Sequence, residues 1–194
     1  MGESLSTKIE TIKVCHALLQ NPKFFSLLLQ IDNDLAAQTR ATSCPCGGVL
    51  HKADYPRKPR GCPPEVRPDF ETRFSFCCTR CRKRTTAVSV RFLGRRVYLG
   101  LIVALMPVRR ATLSAAAVQL FEAIGVPERT IARWRHWWLQ VFPATTLWQA
   151  SSARFMPPVQ IGLLPTSLMA RFAGPATEAA MRLLAFLTPL SVQS

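Results

Sequence analysis

Two close-set cysteine pairs constrain this chain more than any other feature: Cys44 and Cys46 in "CPCGGVL", and Cys78 and Cys81 in "FCCTRCRKRTT". Brought together from two turns, such pairs present four sulfurs to one ion, as a tetrahedral Zn²⁺ site with bonds of about 2.3 Å requires. No charged stretch leads into an apolar one at the N-terminus, so no signal peptide is expected, and the expected location is the cytoplasm, in association with the nucleoid. Thiols stay reduced there, and clustered cysteines point to metal rather than disulfides. Gly47 and Gly48 let backbone amides turn toward the sulfurs, while neighbouring Arg and Lys offset the charge of four thiolates. The expected role is structural, because four thiolates leave no open position for water. The spacer, residues 47–77, exceeds the usual roughly 15 to 20 of zinc ribbons. Two substitutions in the ligand set therefore stay open: Cys62 or His51 for any named ligand, and Cys77 for Cys78. Cys15, among apolar neighbours, reads as a small core residue.

The segment around these pairs, residues 41–95, explains why a metal is needed. Gly, Pro, Cys and Arg dominate it, and "YPRKPRGCPPEVRP" carries Pro56, Pro59, Pro63, Pro64 and Pro68. That density excludes helix and central strand and predicts an extended, largely solvated loop. "RFSFCC" and "TTAVSVRF" alternate and are rich in Phe, Val and Thr, as two short strands would be. A segment this poor in core residues folds when metal binding supplies the free energy.

Charge names the partner class. The 194 residues hold 25 Lys and Arg against 11 Asp and Glu, a net charge of +14, and such a field draws polyanions, nucleic acid first. The longest apolar run, residues 97–108, falls short of the roughly 18 to 20 needed to cross a bilayer, so no membrane partner is expected.

The remainder is helical by periodicity. Residues 1–40 read as two helices punctuated at Asn21 and Pro22, 96–143 as a helical module ended by Pro143, and 144–194 as a Pro-broken segment with an amphipathic helix over 176–187. Within the third segment, "SAAAVQLFEAIGVPERTIARWRHWWLQVF" has the form of a helix-turn-helix. Ser114 caps a first helix, Gly125 makes the turn, and Pro127 with Glu128 starts the second. Ile131, Trp134 and Trp138 are expected to pack inward, leaving Arg129, Thr130, Arg133 and His136 to face a major groove. Arg57, Lys58 and Arg60 of the Pro-rich loop and Arg82, Lys83 and Arg84 of the second cysteine turn are expected to hold the phosphate backbone. Phe121 occupies a place where compact helix-turn-helix units usually carry Ala.

The two cysteine turns followed by "GVPERTIARWR" resemble the N-terminal DNA-binding region of bacterial insertion-sequence transposases with zinc ribbons, and stand-alone mobile-element proteins of the same arrangement, over about residues 40–142. The resemblance implies recognition of element ends. It does not carry over the transposition chemistry, for those enzymes cut DNA with a ribonuclease-H-like core and three acidic residues. Here the aspartates are Asp32, Asp34, Asp54 and Asp69, none beyond the helix-turn-helix, and residues 143–194 are too few for such a core.

No enzyme is expected. The acids sit mainly in mobile-looking or basic surroundings, and the nearest cluster, Glu65, Asp69 and Glu71, reads as charge balance rather than a two-metal site. Cys15 and His16, adjacent on a helix, point about 100° apart and make no nucleophile–base pair. The expected fold is α+β, mainly α: a small zinc-ribbon β module followed by a helix-turn-helix helical module. The expected function is zinc-dependent binding of double-stranded DNA, as an accessory or regulator beside a transposase or recombinase. The alternative is an RNA-binding or protein-assembly zinc ribbon, with the apolar residues Met181, Leu183, Leu184, Phe186, Leu187 and Leu190 docking on a partner. Sequence leaves the oligomeric state open.

Overall fold

The computed structural model describes Leu18, residues 21–59, 61–93, Glu122 and 125–192. The fold is mixed α and β, mainly helical, with small antiparallel sheets. The chain forms two compact units, one of Pro22–Gly100 with Leu187–Ser194 and the other of Met1–Asn21 with Leu101–Phe186.

The first unit opens with helix α1, Pro22–Ala41. Pro22 stands in its first turn, where a missing N–H costs nothing. Phe24, Phe25, Leu28, Asp32 and Ala36 form its buried stripe, at the spacing of one helix face. The chain then runs through β1 (Leu50–Lys52) and β2 (Tyr55–Pro56), a 3₁₀ turn at Pro64–Val66 and the short helix α2 (Arg67–Phe70). Strands β3 (Thr72–Arg73), β4 (Ser75–Cys78) and β5 (Arg84–Thr86) follow. β1, β4 and β5 form one antiparallel sheet in the order β1-β4-β5, and β2 pairs with β3. Leu50 lies opposite Cys78, His51 opposite Cys77, and Cys77 opposite Arg84. Ala36 of α1 shares a core with Cys44, Leu50, Phe76, Cys78 and Ala87, so the segments read as 1–40 and 41–95 meet in one apolar interior.

Two expectations change here. The Pro-rich stretch is not a solvated extended loop: Pro59, Cys62, Val66 and Phe70 are buried, and Pro64 and Pro68 occupy first-turn helical positions. Pro tolerates those positions because it lacks only an N–H that would be orphaned anyway. The second expected strand, "TTAVSVRF", stops at Thr86, and beyond it Val90 N turns to a carboxylate rather than to a neighbouring strand. Asp32, in the apolar stripe of α1 and 0% exposed, accepts from Ser89 Oγ at 2.5 Å, Val90 N at 2.7 Å and Arg91 Nε at 2.7 Å. Ser89 Oγ in turn accepts from the backbone N of Arg91 and Phe92. Asp32 is thus not mobile but fixed beside a buried arginine. Arg91, equally buried, spends its other nitrogens on the carbonyls of Asp69 and Thr72 and lies over Phe70, Phe74 and Phe92. This satisfies a buried charge that would otherwise be very costly.

In the second unit Gly125 takes φ +67° and its N–H bonds to Glu122 O, making a turn that Gly adopts without strain. Helix α3 (Glu128–His136) follows and runs on through a π turn, Trp137–Val141, and a 3₁₀ turn, Phe142–Ala144. Pro127 precedes α3 in an extended conformation rather than at its first helical position. Then come α4 (Thr146–Ser151), capped by Thr145 Oγ1 accepting from Trp148 N at 3.2 Å, α5 (Thr166–Met169) and α6 (Ala176–Leu187). The core is a chain of aromatic contacts from Trp138 through Phe142, Trp148 and Phe155 to Phe186. Residues 97–120, which hold the expected first helix of the helix-turn-helix with Ser114, and Phe121, Cys15 and His16 lie outside the described residues.

Candidate metal centre

The first cysteine turn is built by local hydrogen bonds. Cys44 N donates to Gly48 O at 3.1 Å and Gly47 N to Cys44 O at 2.8 Å, with Gly47 at φ +76°. Gly48 has a different reason to be glycine: a Cβ there would stand 2.5 Å from Cys78 Sγ and 2.9 Å from Arg80 Cβ. The second turn repeats the pattern, with Cys78 N donating to Lys83 O at 3.0 Å and Arg82 N to Cys78 O at 3.1 Å. Arg82 takes φ +58° there without being glycine. Sheet pairing of Leu50 with Cys78 fastens the turns to each other, as do Thr79 N to Val49 O at 3.0 Å and Arg80 Nη1 to Cys46 O at 3.2 Å.

The result brings the ligand atoms of Cys44, Cys46, Cys78 and Cys81 within 4.8 Å of one another. Cys44 Sγ lies 3.6 Å from Cys81 Sγ, and Cys46 Sγ 3.5 Å from Cys78 Sγ. Four sulfurs bound tetrahedrally at about 2.3 Å stand roughly 3.8 Å apart, so the donor set and its spacing fit a single metal ion. Thiol acidities are uneven. The backbone N–H groups of Cys81 and Arg80, the latter 3.3 Å from the sulfur, outweigh burial and draw Cys78 down to about 6. Cys46's backbone N–H favours the Cys44 thiolate, yet burial and the three neighbouring thiols prevail and push Cys44 up to about 12. A bound cation would hold all four as thiolates.

The alternatives for the ligand set separate by strand alternation. Cys77 points to the opposite face of β4 from Cys78, its Sγ donating to Arg82 O at 3.5 Å. His51 lies opposite Cys77 on that same outer face and is exposed. Cys62 is fully buried apart from the four, and burial raises its thiol despite the neighbouring Arg67. Among the described residues the four cysteines are the one group of His, Cys, Asp and Glu placed to hold a metal. Glu65, Asp69 and Glu71 are exposed and form no such group.

The same unit carries the basic side chains expected to meet phosphate. Lys58, Arg82, Lys83 and Arg84 are exposed and Arg57 half-buried. No carboxylate lies within ion-pair distance of these five among the described residues. Arg60 lies outside them. On α3, Arg129, Arg133 and His136 are exposed as expected. Thr130 is not: it is 1% exposed and accepts from Arg133 Nη2 at 3.2 Å. The reason is helical phase, since Thr130, Trp134, Trp138 and Phe142 recur every four residues and all are buried, while Ile131 sits at the margin. Sequence also missed Asp32, although an acid at i+4 from Leu28 and i−4 from Ala36 on an apolar stripe signals a buried, partnered carboxylate.

No family model, no curated protein and no solved structure matches the chain. Among the described residues no helix is long and apolar enough to cross a membrane.

Proposed function

We propose that this chain is a zinc-dependent, non-catalytic protein that binds double-stranded DNA, its cysteine module being of the zinc-ribbon type. The observation that carries the proposal is the juxtaposition of four sulfurs at tetrahedral spacing with Arg82, Lys83 and Arg84, exposed on the same turn and strand and, among the described residues, free of carboxylates. All-sulfur tetrahedral sites suit zinc, and four thiolates leave it no open position, so the ion would organise the fold rather than activate water. Fixed cations without acidic partners are what a phosphate backbone attracts. The exposed Arg129, Arg133 and His136 on one helix supply the surface for base contacts. On the cysteine-turn and "GVPERTIARWR" motifs we assign it the role of an accessory or regulator of a bacterial mobile element, acting beside a transposase or recombinase. Docking of the C-terminal helix on a partner is the weaker reading, because Leu183, Leu184 and Leu187 are already buried.

The test is a metal analysis of the purified chain followed by binding at about 150 mM salt to duplex DNA, single-stranded DNA and structured RNA. One zinc per chain and a duplex preference that strong chelator abolishes are expected. Absence of stoichiometric zinc, or a preference for structured RNA above tenfold, roughly 1.4 kcal/mol, would overturn the proposal.

A further inference from the structure

Two cations of the cysteine unit lie against one aromatic ring. Arg57 Cζ lies 4.6 Å and Arg84 Cζ 5.5 Å from the centroid of Tyr55 on β2. Arg57 Nη2 also donates to Tyr55 Oη at 3.4 Å, while Arg84 Nη1 is anchored to Ala53 O at 2.8 Å and Ser75 Oγ at 3.3 Å. The adjacent acid, Asp54, is engaged elsewhere: Oδ1 accepts from Ser75 N at 3.0 Å and Oδ2 pairs with Lys52 at 3.4 Å. Two guanidiniums are therefore held in place with no carboxylate among the described residues within ion-pair distance of them.

Such a pair has a specific use. A guanidinium held against a ring is fixed beforehand and loses little freedom when an anion arrives, and its N–H groups that are not already engaged remain for that anion. The ring already faces cations, which disfavours base stacking and leaves phosphate oxygens as the matching ligand. We propose that Tyr55, Arg57 and Arg84 form a phosphate clamp for the backbone of duplex DNA, in which the Tyr55 ring positions the two guanidiniums. The clamp rests on the DNA-binding reading above and adds to it the place where the backbone is gripped.

The experiment measures affinity of the zinc-loaded full chain for a short mixed-sequence duplex over a salt series, with thermal melting of each variant. Arg57→Gln with Arg84→Gln should reduce the slope of log affinity against log salt by about 1.8, at roughly 0.9 for each phosphate no longer neutralised. Tyr55→Leu, which removes no charge, should also weaken binding and flatten the slope, and Tyr55→Phe, which keeps the ring but loses the Oη contact with Arg57, should weaken binding less than Tyr55→Leu does. A Tyr55→Leu protein with the parent's slope and affinity overturns the clamp and leaves the DNA-binding reading standing, even if the double variant fails to fold. Failure of the parent chain to bind any duplex overturns both. Tighter binding to phosphatidylserine vesicles than to duplex, or displacement of the duplex by millimolar inorganic phosphate, assigns the guanidiniums to another phosphate source and also overturns the clamp.

Discussion

Replacing Gly48 with alanine tests the metal centre at its tightest point. The added Cβ would fall 2.5 Å from Cys78 Sγ and 2.9 Å from Arg80 Cβ, against an ordinary contact of about 3.5 to 4.0 Å. The sulfur or the turn must retreat by roughly 1 Å, several times the ±0.2 Å tolerance of a metal–ligand distance. Changes that only touch a ligand's support already cost about 10- to 100-fold in affinity. Displacing a ligand sulfur should therefore cost at least about 100-fold, or about 2.7 kcal/mol. Gly47→Ala is the built-in control, because a Cβ there meets nothing within 4 Å and only the left-handed backbone, φ +76°, resists it, at about 1 to 2 kcal/mol of folding stability. Competition for zinc against a chromophoric chelator, with thermal melting in parallel, separates the two. If Gly48→Ala held zinc as tightly as the parent chain, the packing of the two cysteine turns described above would be wrong.

Other outcomes follow from the same geometry. Cys78→Ser should abolish zinc retention while Cys77→Ser and Cys62→Ser keep one equivalent, as read by metal analysis after dialysis. Asp32→Ala should destabilise the cysteine unit by about 3 to 5 kcal/mol, since it strands the buried Arg91. Adding Arg91→Met should recover part of that loss in denaturant melts, and strictly additive losses would refute the pairing. Zinc uptake near pH 7 should release fewer protons than one per cysteine ligand. Cys78, depressed to about 6, is already a thiolate above that pH and regains its proton only as the pH falls through it. Calorimetry in buffers of different ionisation heat counts those protons.

Much of the site was legible in the order of residues alone. Two close-set thiol pairs in a Pro- and Arg-rich segment specify their own ligation, because the chemistry needs only four sulfurs and two turns able to present them. Glycines next to one pair and a Lys/Arg run beside the other belong to that same local pattern. The helix starting at Glu128 and the one over Ala176–Leu187 were equally legible, their apolar periods being contained within a dozen residues. Thr130 went astray because a four-residue phase was set by burial of Trp134, Trp138 and Phe142 and by the aromatic partners that Trp138 and Phe142 find in space, which no local window contains.

The sequence by itself determined which thiols stand close enough along the chain to act as pairs, where the helices from Glu128 and Ala176 begin, and that the chain would carry a large positive charge. Each is a property of neighbouring residues or of a sum over residues. Tertiary structure alone decided that Cys77 and His51 face away from the sulfurs, that "TTAVSVRF" yields a backbone N–H to Asp32 across 58 positions, and that Tyr55 gathers Arg57 and Arg84. Those outcomes depend on which strands pair, in what register, and on which buried charge finds its partner. Such contacts join residues far apart in the chain, so their energies have no signature in any short stretch of it.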